Sequence, residues 1–519
     1  MAENFNSHIS NISIEEMSTF CKRKGFVYSN SEIYGGMSGF FDYGPLGVEV
    51  KNNIKQDWWK IFVKSRDDVV GIDGTIISHQ KVWQASGHVG CFADLMVECT
   101  KCRARKRADQ LIEDELSIAA EGLSKEDINK LIEQNNLKCP ICKGNLSKPK
   151  EFNLMFKTCV GPVESEEAVA YLRPETAQQM FTNFKIITET ARVQLPFGIA
   201  QIGRAFRNEI SPRDFLFRCR EFEQMELEYF IHPEEKKCNL LAKQDLDYEF
   251  QILTAETQEK KSSHEKNQKK NLHEQVHIQK LKIKDILKMQ LMEEWHAYWL
   301  KQQYQWFVDL GIKKENLRLR EHRKDELAHY SSACFDIEYN FPFGWKEIHG
   351  MANRGSFDLE QHQKHSKKSF ELFDEATKKK VLPKVIEPSQ GVDRAFLAFM
   401  FDAYTHDPKN KERDWIVLKL HKKLVPTQVA VLPLVNKLED KAKEVYNLLK
   451  NEFVCFYDRS GAIGRRYARA DEIGIPLCLT IDFETIEKDN CVTIRERDTT
   501  KQIRVKITDL KEKLREIFC

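Results

Sequence analysis

The stretch GRAFRNEISPRDFLFRCREFEQMELEYF, residues 203–230, sets two arginine-rich extended segments on either side of a short proline-containing loop. Successive strand side chains point to opposite faces. Along the second half, Arg218, Arg220, Phe222, Gln224, Glu226 and Glu228 therefore share one face, and Cys219, Glu221, Glu223, Met225, Leu227 and Tyr229 share the other. The first face runs cationic, aromatic and then anionic over roughly 13 Å, at about 3.3 Å per residue. Such a gradient suits a ligand that is anionic at one end, flat in the middle and cationic at the other. A solvated face with cross-strand ion pairs accounts for the same charges, and the pattern alone leaves both readings open.

Arg207 and Glu209 share a face at the end of the first segment. Arginines converging on one groove fit polyphosphate recognition, because a planar guanidinium binds phosphate oxygens bidentately and stays charged. The chain contains no glycine-rich loop ending in GK[ST], so a nucleotide here would lie on a sheet. Phe222 either stacks on a base or belongs to the core. PKVIEPSQGVDRAFLAFMFDAY, residues 383–404, reads as strand, tight turn and helix, with Arg394 opening the helix after Gly391. A cation there has the wrong sign for the helix dipole, so an anionic partner is expected nearby. Glu175, Glu226, Glu347 and Glu387 sit on separate segments and would repel if they met without Mg²⁺ or an ammonium group.

At 519 residues the chain has room for two to four domains and a large core. It is 41% hydrophobic and 31% charged with a net charge of +2, so nucleic acid is neither demanded nor excluded as a partner. No apolar run approaches the roughly 20 residues that span a bilayer, and the first residues carry neither a signal-like apolar run nor an arginine-rich transit pattern. The expectation is a soluble intracellular protein. Most of the 14 cysteines are scattered singly, as reduced core cysteines are. Cys99 and Cys102, in ECTKC, and Cys139 and Cys142, in KCPIC, are not. Two such knuckles can set four thiolates tetrahedrally around zinc, leaving no open position and hence a structural role. Free thiols or redox chemistry are the alternatives. The intervening residues include a helical periodicity with Ser124 as N-cap.

Residues 14–66 look helical at both ends around the glycine-rich EIYGGMSGFFDYGPLG, with Val48, Ile54, Trp58, Ile61 and Phe62 on one helical stripe. Residues 150–230 read as strands and turns. From 238 to 330 the character becomes charged helix, most simply a solvated helical insertion or a partly disordered arm, with a basic strut touching RNA as the sharper alternative. Strands resume at 331. After the linker HDPKNKERD, residues 415–519 alternate apolar runs with helices, as a separate α/β unit does.

YLRPETAQQMFTNF (171–184), the 203–230 stretch and EPSQGVDRAFLAF (387–399) resemble, closely and in order, signature segments of the glycyl-tRNA synthetases, in their homodimeric class II form. The likeness continues through residues 32–59, KVWQASGHVG (81–90), EFNLMFKT (151–158) and GAIGRRYARADEIGIP (461–476). The resemblance implies an α+β fold: a class II catalytic domain over 1–412, with a mainly antiparallel sheet flanked by helices, interrupted by a zinc-ribbon-like insertion at 99–142 and the 238–330 insertion. An anticodon-binding domain would occupy 415–519. It implies ATP with Mg²⁺, glycine and tRNA(Gly) as partners, a homodimer, no membrane and a cytoplasmic setting.

By the same resemblance, Arg207 looks like the arginine on the α-phosphate, with Asn208 beside it, Glu209 near the adenine amino group and Phe222 stacking on adenine. Arg218 and Arg394 look like the arginines at the terminal phosphate. The ATP set extends to Phe217, Cys219, Arg220, Glu221, Gly391, Val392 and Asp393, with Glu347 and the Ile348 backbone at the magnesium position. The glycine pocket would hold Arg107 and Arg354 near the carboxylate and Glu175, Glu226 and Ser389 around the ammonium, together with Glu223, Gln224, Met225, Glu387, Pro388 and Gln390. Arg459, Arg465, Arg466 and Arg469 would contact tRNA phosphates. Gln80 stands where this class typically carries a proline of its dimer-interface element, although Trp83, Gly87 and His88 nearby keep the dimer expected. A non-catalytic nucleic-acid-binding descendant is the competing reading, but it should have lost the ATP arginines and acidic pocket that this chain retains.

Overall fold

The computed structural model describes residues 12–518 apart from 117, 119, 121–122, 164, 260–277, 328–330, 376 and 407–412. Among the described residues the centre is a nine-stranded sheet. Its strands run in the order Gln279–Lys282, Glu249–Leu253, Leu317–Glu321, Ala333–Phe341, Gly344–Gly355, Lys384–Gly391, Glu221–Ile231, Phe197–Phe206 and Val69–Ile72. Pairing is antiparallel except where 69–72 joins 197–206 and where 249–253 joins 317–321. The hairpin that opened the sequence reading is in register from Phe197↔Phe230 to Phe206↔Glu221.

Side-chain alternation sorts the two faces of this sheet. Met225, Leu227 and Tyr229 turn to the back and join the main core. There the helices Glu294–Asp309 and Val392–Ala403 cover them, with Tyr229 against Trp295 and Trp299. Phe230 turns to the front, where the helix Ala177–Ala191 packs Phe181 and Phe184 against it. That helix lies inside the span read as strands and turns. Its β-branched run TNFKIITET masks a helical period that the fold imposes by burying Met180, Phe181 and Phe184.

The expected charged helical insertion at 238–330 is corrected in the same way. Its basic middle, 260–277, lies outside the described residues. The flanks supply three strands of the central sheet, and Glu294–Asp309 buries Trp295, Trp299, Tyr304 and Trp306. A helix with so many large aromatic side chains belongs in a core, whatever the charge of its neighbours. The stripe on the first long helix is also rotated: Val50, Ile54 and Trp58 are buried, while Val48 and Ile61 are each 38% exposed.

The span between the cysteine pairs forms a lobe of its own. Strands Ala93–Glu98, Arg105–Arg107 and Lys150–Asn153 carry the helices Ala108–Leu116 and Lys125–Gln134, and the Ser124 hydroxyl caps the second by accepting from the Asp127 amide. At the other end of the chain, Cys455–Tyr457, Val429–Pro433 and Leu477–Ile481 pair in parallel, and Cys491–Glu496 and Gln502–Lys506 add antiparallel. This sheet and its helices enclose a second core around Val431, Leu479 and Leu510. No helix of the described residues is long and apolar enough to cross a membrane.

Candidate active site

The front of the central sheet, between the helix Ala177–Ala191 and the loops at the hairpin tip, holds a cavity of about 320 Å³. Its floor is the hairpin strand Glu221–Ile231 with Lys384–Gly391 and Gly344–Gly355 alongside. Arginines gather at one end. The Arg207 guanidinium lies 5.3 Å from the Phe222 ring and 5.4 Å from Phe92, anchored by donation from Nε to the Pro174 carbonyl at 3.0 Å. Arg218 approaches Glu209 at 3.7 Å. Arg394 stacks over Phe217 at 4.5 Å and pairs with Glu347 at 2.8 Å. Glu347 is thus the anionic partner expected for a cation at a helix N-terminus.

Carboxylates gather at the other end. Glu226, 1% exposed, accepts from the Thr176 amide at 3.1 Å, from the Thr176 hydroxyl and from the Ser389 hydroxyl at 2.8 Å. Glu175 accepts from Gln178 and stands 3.3 Å from His88. Burial pushes its acid up, but His88 and Arg354 outweigh this and hold it well below the usual carboxylate range. Glu387 pairs with Arg354 at 2.9 Å, and Arg354 is in turn held by Asp358. Beneath them Glu228 is fully buried with neither carboxyl oxygen bonded to a protein group. Burial first, then the nearby carboxylates, push the acids of Glu228 and Glu387 up. This end is built to receive a cation.

Several expected residues lie elsewhere. Glu223 points to the far face, where Lys51 and Lys55 hold it, and Met225 is core. Glu387, Ser389 and Gly391 line the cleft, so alternation turns Pro388 and Gln390 away, and Gln390 is 2% exposed. Arg107 pairs with Asp94 and Asp109 and lines a smaller cavity beside Arg218, at the arginine end rather than the acidic end. Arg354 sits behind the carboxylates at 2% exposure rather than on the cleft wall. Arg220 precedes the regular strand, so it escapes the alternation and clamps the Glu209 and Ser38 carbonyls. Glu221 pairs with Arg204 on the outside. Ile348 and Val392 are core side chains whose backbones alone are in reach, and the Asn208 amide is spent on the Leu154 carbonyl. Cys219 and Asp393 do border the cleft, with Asp393 bonded to Tyr43, Lys51 and the Glu223 amide. Thr176 and His88 were not expected here, although Thr176 directly follows Glu175 in the quoted segment.

The four paired cysteines converge, with Cys99 and Cys142 Sγ atoms 3.4 Å apart, Cys102 and Cys139 3.6 Å apart, and all four within 4.8 Å of one another. Backbone N–H groups of Lys101 and Cys102 point at Cys99 Sγ, and the Cys102 amide leads in drawing the Cys99 thiol down to about 6. A Cβ on Gly144 would sit 3.1 Å from Cys99 Sγ, so only glycine leaves the cradle open. The donor set fits a tetrahedral thiolate-bound zinc. Gln80 opens the short helix Gln80–Ala85 and donates to the Glu166 carbonyl. In the C-terminal unit Arg466 is 2% exposed and donates to the Pro433 and Leu434 carbonyls, so it braces the fold and does not reach a phosphate. Arg459 and Arg469 are paired with Glu439 and Asp458, and Arg465 is exposed.

Comparison with known proteins adds two family matches and three similar full-length proteins. Residues 162–419 match the tRNA synthetase class II core domain (G, H, P, S and T), and residues 428–517 match the anticodon binding domain. The chain is 44% identical over 511 residues to a glycine–tRNA ligase of Caldanaerobacter subterraneus subsp. tengcongensis, covering 97% of this chain and 98% of that one. It is 44% identical over 510 residues to the glycine–tRNA ligase of Clostridium kluyveri and 43% identical over 503 to that of Acetivibrio thermocellus, with 96% or more of each chain covered.

Proposed function

Because the chain belongs to the glycine–tRNA ligase family, it is an ATP-dependent ligase that joins glycine to tRNA, and we propose that its front cleft performs the activation step. Arg207 binds the α-phosphate, Phe222 stacks on adenine with Glu209 near its amino group, and Arg218 and Arg394 take the terminal phosphate. The glycine ammonium lies among Glu175, Glu226 and Glu387, with Ser389 beside it. The observation carrying this reading is the separation of charge along one cavity, arginines at one end and buried carboxylates at the other.

The glycine carboxylate attacks the α-phosphorus in line, and no protein nucleophile is needed. Glycyl-adenylate forms, pyrophosphate leaves, and glycine then passes to a ribose hydroxyl at the tRNA 3′ end with release of AMP. This chain's contribution is positioning and stabilisation of developing charge, chiefly by Arg207. Glu347 is the carboxylate that would hold magnesium, which neutralises phosphate charge when bound. Selecting glycine is a matter of exclusion. In a yielding pocket one methyl is worth about 1–3 kcal/mol, so rigidity matters, and the grip of Thr176 and Ser389 on Glu226 supplies it. The four cysteines hold a structural zinc, a reading supported by their spacing and convergence, and the enzyme acts as a cytoplasmic homodimer, supported by the family resemblance.

Glycine-dependent exchange of pyrophosphate into ATP tests the assignment. Arg207→Ala should cut the exchange rate by about 10²–10³-fold. Glu226→Gln should chiefly raise the KM for glycine. A Glu226 variant that alters only the KM for ATP would overturn the orientation.

A further inference from the structure

The cleft wall facing away from the hairpin carries three donors to which the proposed substrates give no role. His322 lies one residue beyond the strand Leu317–Glu321 and donates its backbone N–H to the Cys334 carbonyl at 3.0 Å, so the two residues stand opposite each other. Asp336 follows Cys334 by two positions on the strand Ala333–Phe341 and therefore shares its face. The result is a cross-strand pair with a third donor on the diagonal. His322 Nε2 is 2.7 Å from Asp336 Oδ2, and donor atoms of all three residues lie within 4.8 Å of one another. All three border the same cavity as Arg394 and Glu347.

A fourth donor is close. A Cβ built on Gly350 would stand 3.6 Å from Glu347 Oε1 and 3.9 Å from Asp336 Oδ1, so both carboxylates flank this glycine. Arg320 is shared here: its Nη2 donates to both Glu326 oxygens at 2.8 Å, while its Nη1 stands 3.7 Å from Asp336, too long for a hydrogen bond. Arg320 therefore makes only a loose ion pair with Asp336, whose one hydrogen-bonded side-chain partner among the described residues is His322.

We infer that His322, Cys334 and Asp336 form a binding site for a zinc-class divalent ion on the wall of the cleft, separate from the four-cysteine cluster. The donor chemistry selects the ion. Imidazole, thiolate and carboxylate suit zinc and cobalt, whereas magnesium prefers oxygen alone. Three protein ligands on two adjacent strands leave a coordination position open to the cavity, unlike the closed set of four thiolates. A ligand in the cleft can fill that position. A simple His–Asp pair bracing a strand end explains His322 and Asp336 but gives Cys334 no part.

The test is a Co²⁺ titration of the metal-free full-length protein, following sulfur-to-cobalt charge-transfer absorption. The expected result is a second thiolate-bound cobalt equivalent beyond the four-cysteine cluster. Cys334→Ser should remove that equivalent alone, His322→Ala should weaken it at least tenfold, and Cys102→Ser should leave it in place. Cys334→Ser is nearly isosteric and Cys102 is remote, so one of them reports even if the other fails to fold. Absorption that saturates at the four-cysteine cluster alone, or a second equivalent unchanged in Cys334→Ser, would overturn the site.

Discussion

Glu226 is gripped by a backbone amide and two hydroxyls, whereas Glu228, two residues further along the same face, has no protein partner at all. The contrast is one of hydrogen bonding between two acids of one strand. A fully buried carboxyl without donors keeps its proton, because burial and the carboxylates around it oppose the charged form. Because the folded-state acid of Glu228 is raised, its effect on stability has a definite sign. Folding is unpenalised below the unfolded value of about 4.3, and stability falls as pH rises from there toward the folded value, since the native state alone retains the proton. Glu228 and Glu387 face each other across neighbouring strands, so the pair titrates together. Glu228→Gln removes the burden and should raise the melting temperature by on the order of a few degrees at pH 8, with the gain vanishing near pH 4. A variant destabilised equally at both pH values would show that the carboxylate is ionised and needed as such.

Elements explain why some of the site was legible in the sequence. The period of two in the hairpin strand places Phe222, Gln224 and Glu226 together in the cleft, and this needs no knowledge of the rest of the fold. The same period removes Glu223, Met225, Pro388 and Gln390, because a contiguous motif on a strand must send half its residues to the other face. Arg107 and Arg354 depended on long-range placement, which local pattern does not contain. The helix Glu294–Asp309 was hidden by the basic residues before it, and the helix Ala177–Ala191 by its own β-branched residues. The cysteine lobe is the reverse case, since spacing alone brought four thiols into contact. Its core is small, so the metal should carry much of its stability; zinc in comparable knuckles is worth about 10–16 kcal/mol. Metal analysis should find about one zinc per chain bound by the knuckles. Chelation should collapse amide-exchange protection across 93–153 while leaving the hairpin protected. Unchanged protection in metal-free protein would refute the four-thiolate site.

At the scale of the molecule, the central sheet and the C-terminal unit have separate cores, and the contacts between them include Arg413 to Asp471 at 2.7 Å and Lys24 to Glu472 at 2.5 Å. Activation and tRNA recognition should therefore respond to different substitutions. Arg459 and Arg465 are the exposed cations of their cluster and Arg459 is held by Glu439, so Arg465→Glu should raise the KM for tRNA about tenfold, with a shallower salt dependence, while glycine-dependent exchange is unchanged. Equal loss in both assays would mean that the two units act as one. The claim on which the whole account turns is the direction of the cleft, acidic at the amino-acid end and cationic at the phosphate end. A crystal structure with a non-hydrolysable glycyl-adenylate analogue measures it directly. The account predicts the ammonium bonded to Glu226 and Glu175, the phosphate mimic at Arg207 and the adenine on Phe222; an analogue bound in the opposite sense, or outside this cavity, would contradict it.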